Sequence, residues 1–336
     1  VQKKIKPFYL TTCPWCGKES EVQYTLYGIR KRKNDQEWIV VDSLVIREMQ
    51  DGNHIKFSDY YQNNTMRRGE QTNNIIDKLT ARELNINGKE NDLLDIPFSD
   101  RYVPLIIVGF CPICGTFHKA LNENDLLLKK EADQKIKTID MVYDSLFDIS
   151  PGPKSKDLIK RNVSYYYELF SPRQLLFLIE CRRFIDSIAD QHKTWLSLLI
   201  STALEFNSML CGYKGAGKRR PGAIRHVFAH HAYSFPYTSL ENNPLFPQKT
   251  SGTLLKLFHS RIKTASQWAH TPVERYYANQ NWSKVSITGE TDMGQECQSF
   301  GDFTSKQKVF MVERRDSSSL PLPDQSIDFV VTDPPY

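Results

Sequence analysis

Apolar positions recur at roughly helical spacing behind Ser171-Pro172: Leu175, Leu176, Leu178, Ile179, Phe184 and Ile188 mark one face of a helix. Ser171 offers a capping hydroxyl and Pro172 suits the first helical position, so the helix is expected to open there. A second apolar helix is predicted over Trp195–Leu210, ended by Gly212, and a third over Thr253–Trp268. Between these two lies a basic, His- and aromatic-rich segment that reads as an irregular loop. The N-terminal part has a different texture, polar and β-rich, as in Glu37-Trp38-Ile39-Val40-Val41. Within it, Gln62–Asn91 is polar and low in aromatics, which predicts a long loop or a weakly ordered insertion. Near the other end, Lys308–Val312 reads as a short strand and Leu320–Asp324 as a turn region. Ile327–Val331 is a strongly apolar run, the pattern of a buried parallel strand. The breaker cluster Ile149–Ser155 suggests a boundary. Three regions follow: 1–150, 151–280 (mainly helical, with the basic loop) and 281–336 (α/β).

Composition adds little to the fold. The chain has 336 residues, 40% hydrophobic and 25% charged, which suits a soluble globular protein. No apolar run reaches the ~20 residues of a membrane helix, and Val1-Gln2-Lys3-Lys4 carries no signal-peptide core, so a cytoplasmic protein is expected. The net charge of +5 matters through its distribution. Between Phe206 and Leu240 there is no Asp or Glu, while Lys214, Lys218, Arg219, Arg220 and Arg225 are all present. Five unopposed cations form a candidate contact for a phosphate backbone, the plainer alternative being a solvated loop.

Cysteine usage changes the picture more. Cys13-Pro14-Trp15-Cys16-Gly17 and Cys111-Pro112-Ile113-Cys114-Gly115 are the same knuckle written twice. Two residues between thiols let both sulfurs face one ion, and the glycine takes the left-handed turn that closes the knuckle. Four sulfurs suit tetrahedral zinc. The 94 residues from Gly17 to Phe110 exceed the usual ~15–20 between knuckles. A fivefold longer loop costs only about 1.4 kcal/mol more to close, against roughly 10–16 kcal/mol from a structural zinc. His118 follows Cys114 closely but reads as a surface histidine, and Cys181, Cys211 and Cys297 read as packing residues.

Two further motifs bear on chemistry. Gly212–Lys218 has the spacing of a phosphate-binding loop, but Arg219 stands where Ser or Thr would hold magnesium, and the segment follows a helix instead of a strand. An ATPase is not expected. The chain closes on Asp333-Pro334-Pro335-Tyr336, a match to Asp, Asn or Ser followed by Pro-Pro and an aromatic that arises by chance on the order of once in a hundred chains of this length, and less often behind an apolar run as here. Its residue types fit the activation of an exocyclic amino group, whose lone pair is delocalised into a base. Two acceptors, the Asp333 carboxylate and the Pro334 carbonyl, would draw on its two hydrogens and localise that pair. Pro334 and Pro335 would fix the acceptors in place, and Tyr336 would stack on a base extracted from the duplex.

With these residues in view the chain resembles the zinc-ribbon-containing adenine-specific DNA methylases related to restriction–modification enzymes. The resemblance rests on the paired knuckles and on Phe170-Ser171-Pro172-Arg173-Gln174-Leu175-Leu176. It continues through Arg225-His226, Phe235-Pro236 and Glu241-Asn242-Asn243-Pro244, and closes on Leu322–Asp328 leading into Asp333–Tyr336. It implies an α/β fold: a partial Rossmann-like methyltransferase segment, a zinc-ribbon insertion and a mainly helical region. It also implies S-adenosylmethionine as methyl donor, zinc held by Cys13, Cys16, Cys111 and Cys114, and double-stranded DNA as substrate. A restriction or phage-defence protein is the implied partner. Asp333, Pro334, Pro335 and Tyr336 would be catalytic, and Asp316, ending the preceding strand, would lie near the cofactor adenosine. The family's Gly-rich cofactor-binding strand-turn has no convincing copy, so the sequence is expected to be an internal piece of a longer methylase and inactive alone. Adenine N6 is the first target and cytosine N4 the second; RNA and a protein glutamine amide remain open. A different class, a catalytically incomplete zinc-ribbon nucleic-acid-binding module, also remains open.

Overall fold

The computed structural model describes residues 1–61, 75–139, 147–215, 224–227, 232–290, 294–316 and 318–333. Contacts group the chain into two compact units, Val1–Thr264 and Ala265–Tyr336.

The first unit is a curled mixed sheet with helices packed on it. Its strands are β1 (Leu10–Thr12), β2 (Glu19–Lys33), β3 (Gln36–Val41), β6 (Ile75–Asp77), β7 (Tyr102–Cys111), β8 (Gly115–Ala120), β9 (Gly212–Tyr213), β10 (Ile224–Arg225) and β11 (Thr238–Asn242). A small hairpin, β4 (Val45–Glu48) with β5 (His54–Lys56), stands apart from it. Strand β2 organises the whole. One edge pairs antiparallel with β7 from Glu21 to Ile29. The other takes β1 at Glu19–Glu21, β11 at Tyr24–Gly28 and β3 at Ile29–Lys33. Register shifts at Val22/Tyr24 and Leu26/Tyr27 bend this long strand so that it serves three neighbours in succession. Among the described strands of the sheet only β3 with β6 is parallel.

Among the described residues, seven α-helices accompany the sheet: α1 (Gln2–Ile5), α2 (Lys78–Glu83), α3 (Glu123–Lys137), α4 (Lys156–Ile159), α5 (Pro172–Ser187), α6 (Asp190–Leu204) and α7 (Leu254–Leu257), the last running into a π-helical stretch, Phe258–Lys263. Helix α5 begins as its sequence predicts. The Ser171 hydroxyl accepts from the Gln174 N–H at 3.3 Å, and the Gln174 side chain accepts from the Ser171 N–H at 2.9 Å. The second helix starts and ends earlier than its apolar pattern suggested, and the third spans the expected residues. In the polar Gln62–Asn91 stretch, residues 62–74 lie outside the described set. The rest holds β6 and α2, because Asp77 caps α2 and β6 gains a ladder from β3.

Two main apolar clusters result, with a minor third at Leu199, Ala203 and Leu257. The larger lies on the sheet, around Leu26, Ile39, Val40, Leu105, Ile106 and Leu240. The smaller joins Ile5, Phe8, Tyr9, Val22, Ile107 and Phe117 to Ala132 of α3 and to Leu176, Phe177 and Cys181 of α5; Cys13 and Cys111 belong to it. Gly109 lets this second cluster close. It sits directly across from Phe117, and a Cβ there would come within 2.4 Å of the ring. Gly109→Ala should therefore cost about 1–3 kcal/mol by overpacking, read as a lower melting temperature; an unchanged melt would contradict this placement.

The second unit begins in α8 (Thr264–His270). It holds the hairpin β12 (Val273–Ala278) with β13 (Asn281–Ser286), and a parallel pair, β14 (Gln295–Glu296) with β15 (Val309–Phe310), joined by α9 (Phe300–Ser305). Of the strand expected at Lys308–Val312, Val309 and Phe310 are extended and paired. The buried parallel strand expected over Ile327–Val331 is not formed, and Phe329 and Val331 are each 82% exposed. A parallel strand needs ladder partners and covered faces, and no described strand of this unit pairs with these residues.

Candidate metal centre

The two knuckles are the turns of two hairpins at one end of the sheet. Cys13–Gly17 links β1 to β2, and Cys111–Gly115 links β7 to β8. Pairing Glu21 with Phe110 sets the turns side by side, so the long insertion between them is folded into the sheet itself. Gly17 (φ +73°) and Gly115 (φ +82°) both take the left-handed conformation the sequence implied. In the first knuckle the Gly17 N–H donates to the Cys13 carbonyl at 3.0 Å and the Cys13 N–H to the Lys18 carbonyl at 2.9 Å. Helix α3 anchors β1 beside it. Thr11 donates to Asp125 at 2.6 Å, and Asp125 also meets Lys119 of β8 at 2.8 Å, so one buried carboxylate ties both hairpins to the helix.

All four sulfurs, of Cys13, Cys16, Cys111 and Cys114, lie within 4.8 Å of one another, an arrangement able to hold a metal ion. Cys13 and Cys111 are buried, Cys114 is half-buried and Cys16 is exposed. Backbone N–H groups of the second knuckle, Cys114 first, aim at Cys111 and hold its thiol down to about 6. Cys114 is pushed up to about 12, by the Cys16 thiol first and then by burial. The crowding that raises Cys114 is what a cation would relieve, because it allows neighbouring sulfurs to ionise together. His118, expected at the surface, is half-buried in β8 opposite Val108; burial and then Arg47 push its ring down to about 4, and it is not among the clustered groups. Cys181, Cys211 and Cys297 are buried, as packing residues should be.

Sequence reasoning missed a second polar centre. Glu241 of β11 is fully buried, and its carboxylate takes Arg173 Nε at 2.8 Å, Arg173 Nη2 at 2.5 Å, the Ser171 hydroxyl at 2.5 Å and Lys129 Nζ at 2.8 Å, together with the Tyr27 hydroxyl. Arg173 completes its donors on the Phe8 carbonyl at 2.9 Å and Thr25 at 3.0 Å, and lies over the Tyr9 ring. Burial alone would raise the Glu241 carboxyl, but Arg173 and Lys129 outweigh it and hold it well below the usual range. Burial, and next Arg173, push Lys129 down to about 7 against the pull of Glu241. The available signal was the pair of segments Ser171-Pro172-Arg173 and Glu241-Asn242-Asn243-Pro244, which the fold brings into contact.

Asp333 is exposed, and Pro334, Pro335 and Tyr336 lie outside the described residues. Asp316 is also exposed and does not end a strand, because β15 stops at Phe310. Its carboxylate turns back onto Ser318, accepting from the N–H at 2.9 Å and the hydroxyl at 2.8 Å, which lowers it from its ordinary value. A short side chain beside a free N–H closes an Asx turn more readily than it reaches a ligand. Of the basic segment, Lys214 and Arg225 are exposed; Lys218, Arg219 and Arg220 lie outside the described residues. The flanks of that segment are not irregular, since β9 and β10 pair at the sheet edge. Among the described residues no helix is long and apolar enough to cross a membrane.

Comparison with known proteins gives no family model, no curated relative and no solved structure that matches this chain.

Proposed function

We propose that this chain is part of an S-adenosylmethionine-dependent DNA amino-methyltransferase, acting on adenine N6, with its first unit braced by zinc in a ribbon-like site. The observation that carries the reading is the sequence Asp333-Pro334-Pro335-Tyr336. A carboxylate followed by two rigid prolines supplies two fixed acceptors for the hydrogens of an amino group, and the tyrosine supplies a ring for the extracted base. Exposure of Asp333 leaves its carboxylate open to such a partner. The cofactor would supply the methyl group. The Asp316 carboxylate is already engaged by Ser318, so an adenosine would have to compete with that turn for it.

The zinc reading is supported by geometry. Sulfurs bound to one tetrahedral zinc at about 2.3 Å stand about 3.8 Å apart, and Cys16 and Cys111 are separated by 3.6 Å. Four thiols without a carboxylate or water position suit a closed, structural site.

The test is methyl transfer from labelled S-adenosylmethionine to DNA by the full reading frame, followed by separation of the nucleosides. Label in N6-methyladenine is expected. Label in N4-methylcytosine would move the target to cytosine. Label in no base, from folded, cofactor-binding protein, would overturn the DNA reading. Failure to bind the cofactor at all would favour a nucleic-acid-binding module.

A further inference from the structure

The hairpin of β12 and β13 carries a face that its own fold does not use. Its register is set by Asn279 and Gln280, both left-handed (φ +51° and +62°), the two-residue turn whose twist matches that of the strands. The Trp268 indole donates to the Val273 carbonyl at 3.1 Å and ties the hairpin base to α8. Alternation along the strands then places Val273, Arg275 and Tyr277 of β12 on one face with Ser286, Lys284 and Trp282 of β13.

Two features of that face point to one kind of partner. Tyr277 and Trp282 are directly paired with ring centroids 5.3 Å apart, yet Tyr277 is 60% and Trp282 70% exposed. Beside them Arg275 sits directly across from Lys284, a like-charge pair that weakens a ladder. No acidic residue shares the face, and neither cation has an ion-pair partner among the described residues. An aromatic shelf beside two uncompensated cations matches a polyanion that carries flat rings, which is a nucleic acid. Rings this open suit unstacked bases, as in a single strand or a locally opened duplex.

We infer that the exposed Arg275/Tyr277/Trp282/Lys284 face of this hairpin is a DNA-contacting ribbon, stacking an unpaired base on the Tyr277–Trp282 pair and neutralising phosphates with Arg275 and Lys284. The choice of DNA over RNA rests on the function proposed above; the chemistry of the face does not.

The test is fluorescence anisotropy of the full reading frame with a labelled single-stranded DNA, the matching duplex and the matching RNA, over a series of salt concentrations. Trp282→Ala should weaken single-strand binding about tenfold, and Trp282→Phe should restore most of it. Arg275→Gln combined with Lys284→Gln should reduce the slope of log affinity against log salt by about 1.4. Thermal melts and sedimentation run beside them should match the wild type. Unchanged single-strand affinity in Trp282→Ala, an unchanged salt slope in the double variant, or tighter binding to RNA would each overturn the inference. So would an altered melt or oligomeric state, which would show that the face is covered by protein. Methylation of DNA by Trp282→Ala with wild-type KM would remove the hairpin's role and leave the proposed activity standing. DNA binding through the hairpin without any methyl transfer would do the reverse.

Discussion

Removing the metal is expected to collapse the end of the sheet where β1, β2, β7 and β8 meet. Cys13 and Cys111 are part of the smaller apolar cluster, which also draws in α1, α3 and α5, so removing an ion held by the four cysteines would leave crowded thiols without a shared partner inside a core. Structural zinc sites contribute roughly 10–16 kcal/mol in isolated domains. Even about 5 kcal/mol of that would lower the melting temperature of a unit this size by about 10 °C or more. Chelation of the wild type and Cys13→Ser should each produce such a fall, and chelation should add little to the variant because both remove one interaction. Cys181→Ser, buried in the same cluster but outside the four-sulfur group, should remain sensitive to the chelator. Sequence preference in methylation should change less than stability. A wild type with no bound metal, or a Cys13→Ser protein that melts normally but chooses different sites, would contradict a bracing role.

Breaking the Glu241 cluster should have the next largest effect. Glu241→Gln keeps the shape but leaves Arg173 and Lys129 buried beside no counter-charge. Removing one partner of a buried ion pair costs about 3–5 kcal/mol, whereas replacing both by apolar groups can be nearly neutral. Glu241→Gln should therefore be strongly destabilising, and Arg173→Met with Glu241→Leu should recover much of the loss. The pH dependence gives a second readout. With its folded pKa held below the unfolded value, Glu241 contributes stability that is complete above pH ~4.5 and lost as pH falls towards the folded pKa. Lys129, lowered to about 7 from an ordinary ~10.4, acts in the same direction: it contributes nothing above pH ~10.4, and because the unfolded chain takes up the proton first, stability falls as pH drops from ~10.4 to ~7. In Glu241→Gln the Glu241 part of the acid limb should disappear. A variant as stable as the wild type, with the same acid limb, would mean that the cluster does not brace the fold.

How far the sequence revealed these sites depended on whether the signal was local. The opening of α5 was legible because Ser171, Pro172 and Gln174 make their capping contacts with one another. The four cysteines were legible because each knuckle carries its own glycine and spacing. Glu241 was not, since Thr238-Ser239-Leu240-Glu241-Asn242 has no apolar alternation. It becomes a fully buried strand only through β2 and through groups far away in sequence, Tyr27, Lys129 and Arg173. Ile327–Val331 failed in the opposite direction. Its apolar run is a local signal for a strand, but a parallel strand is made by its neighbours, and none among the described residues pairs with it. The strand end expected at Asp316 was misplaced as well, since β15 stops at Phe310.

The most direct test of the proposed activity compares the wild-type full reading frame with Asp333→Ala in one methyl-transfer reaction, with cofactor binding measured on both. The account predicts N6-methyladenine from the wild type, a fall of at least about a hundredfold in the variant, as for removal of a positioned transition-state acceptor, and equal cofactor binding. Asp333→Ala transferring methyl groups at the wild-type rate would contradict it.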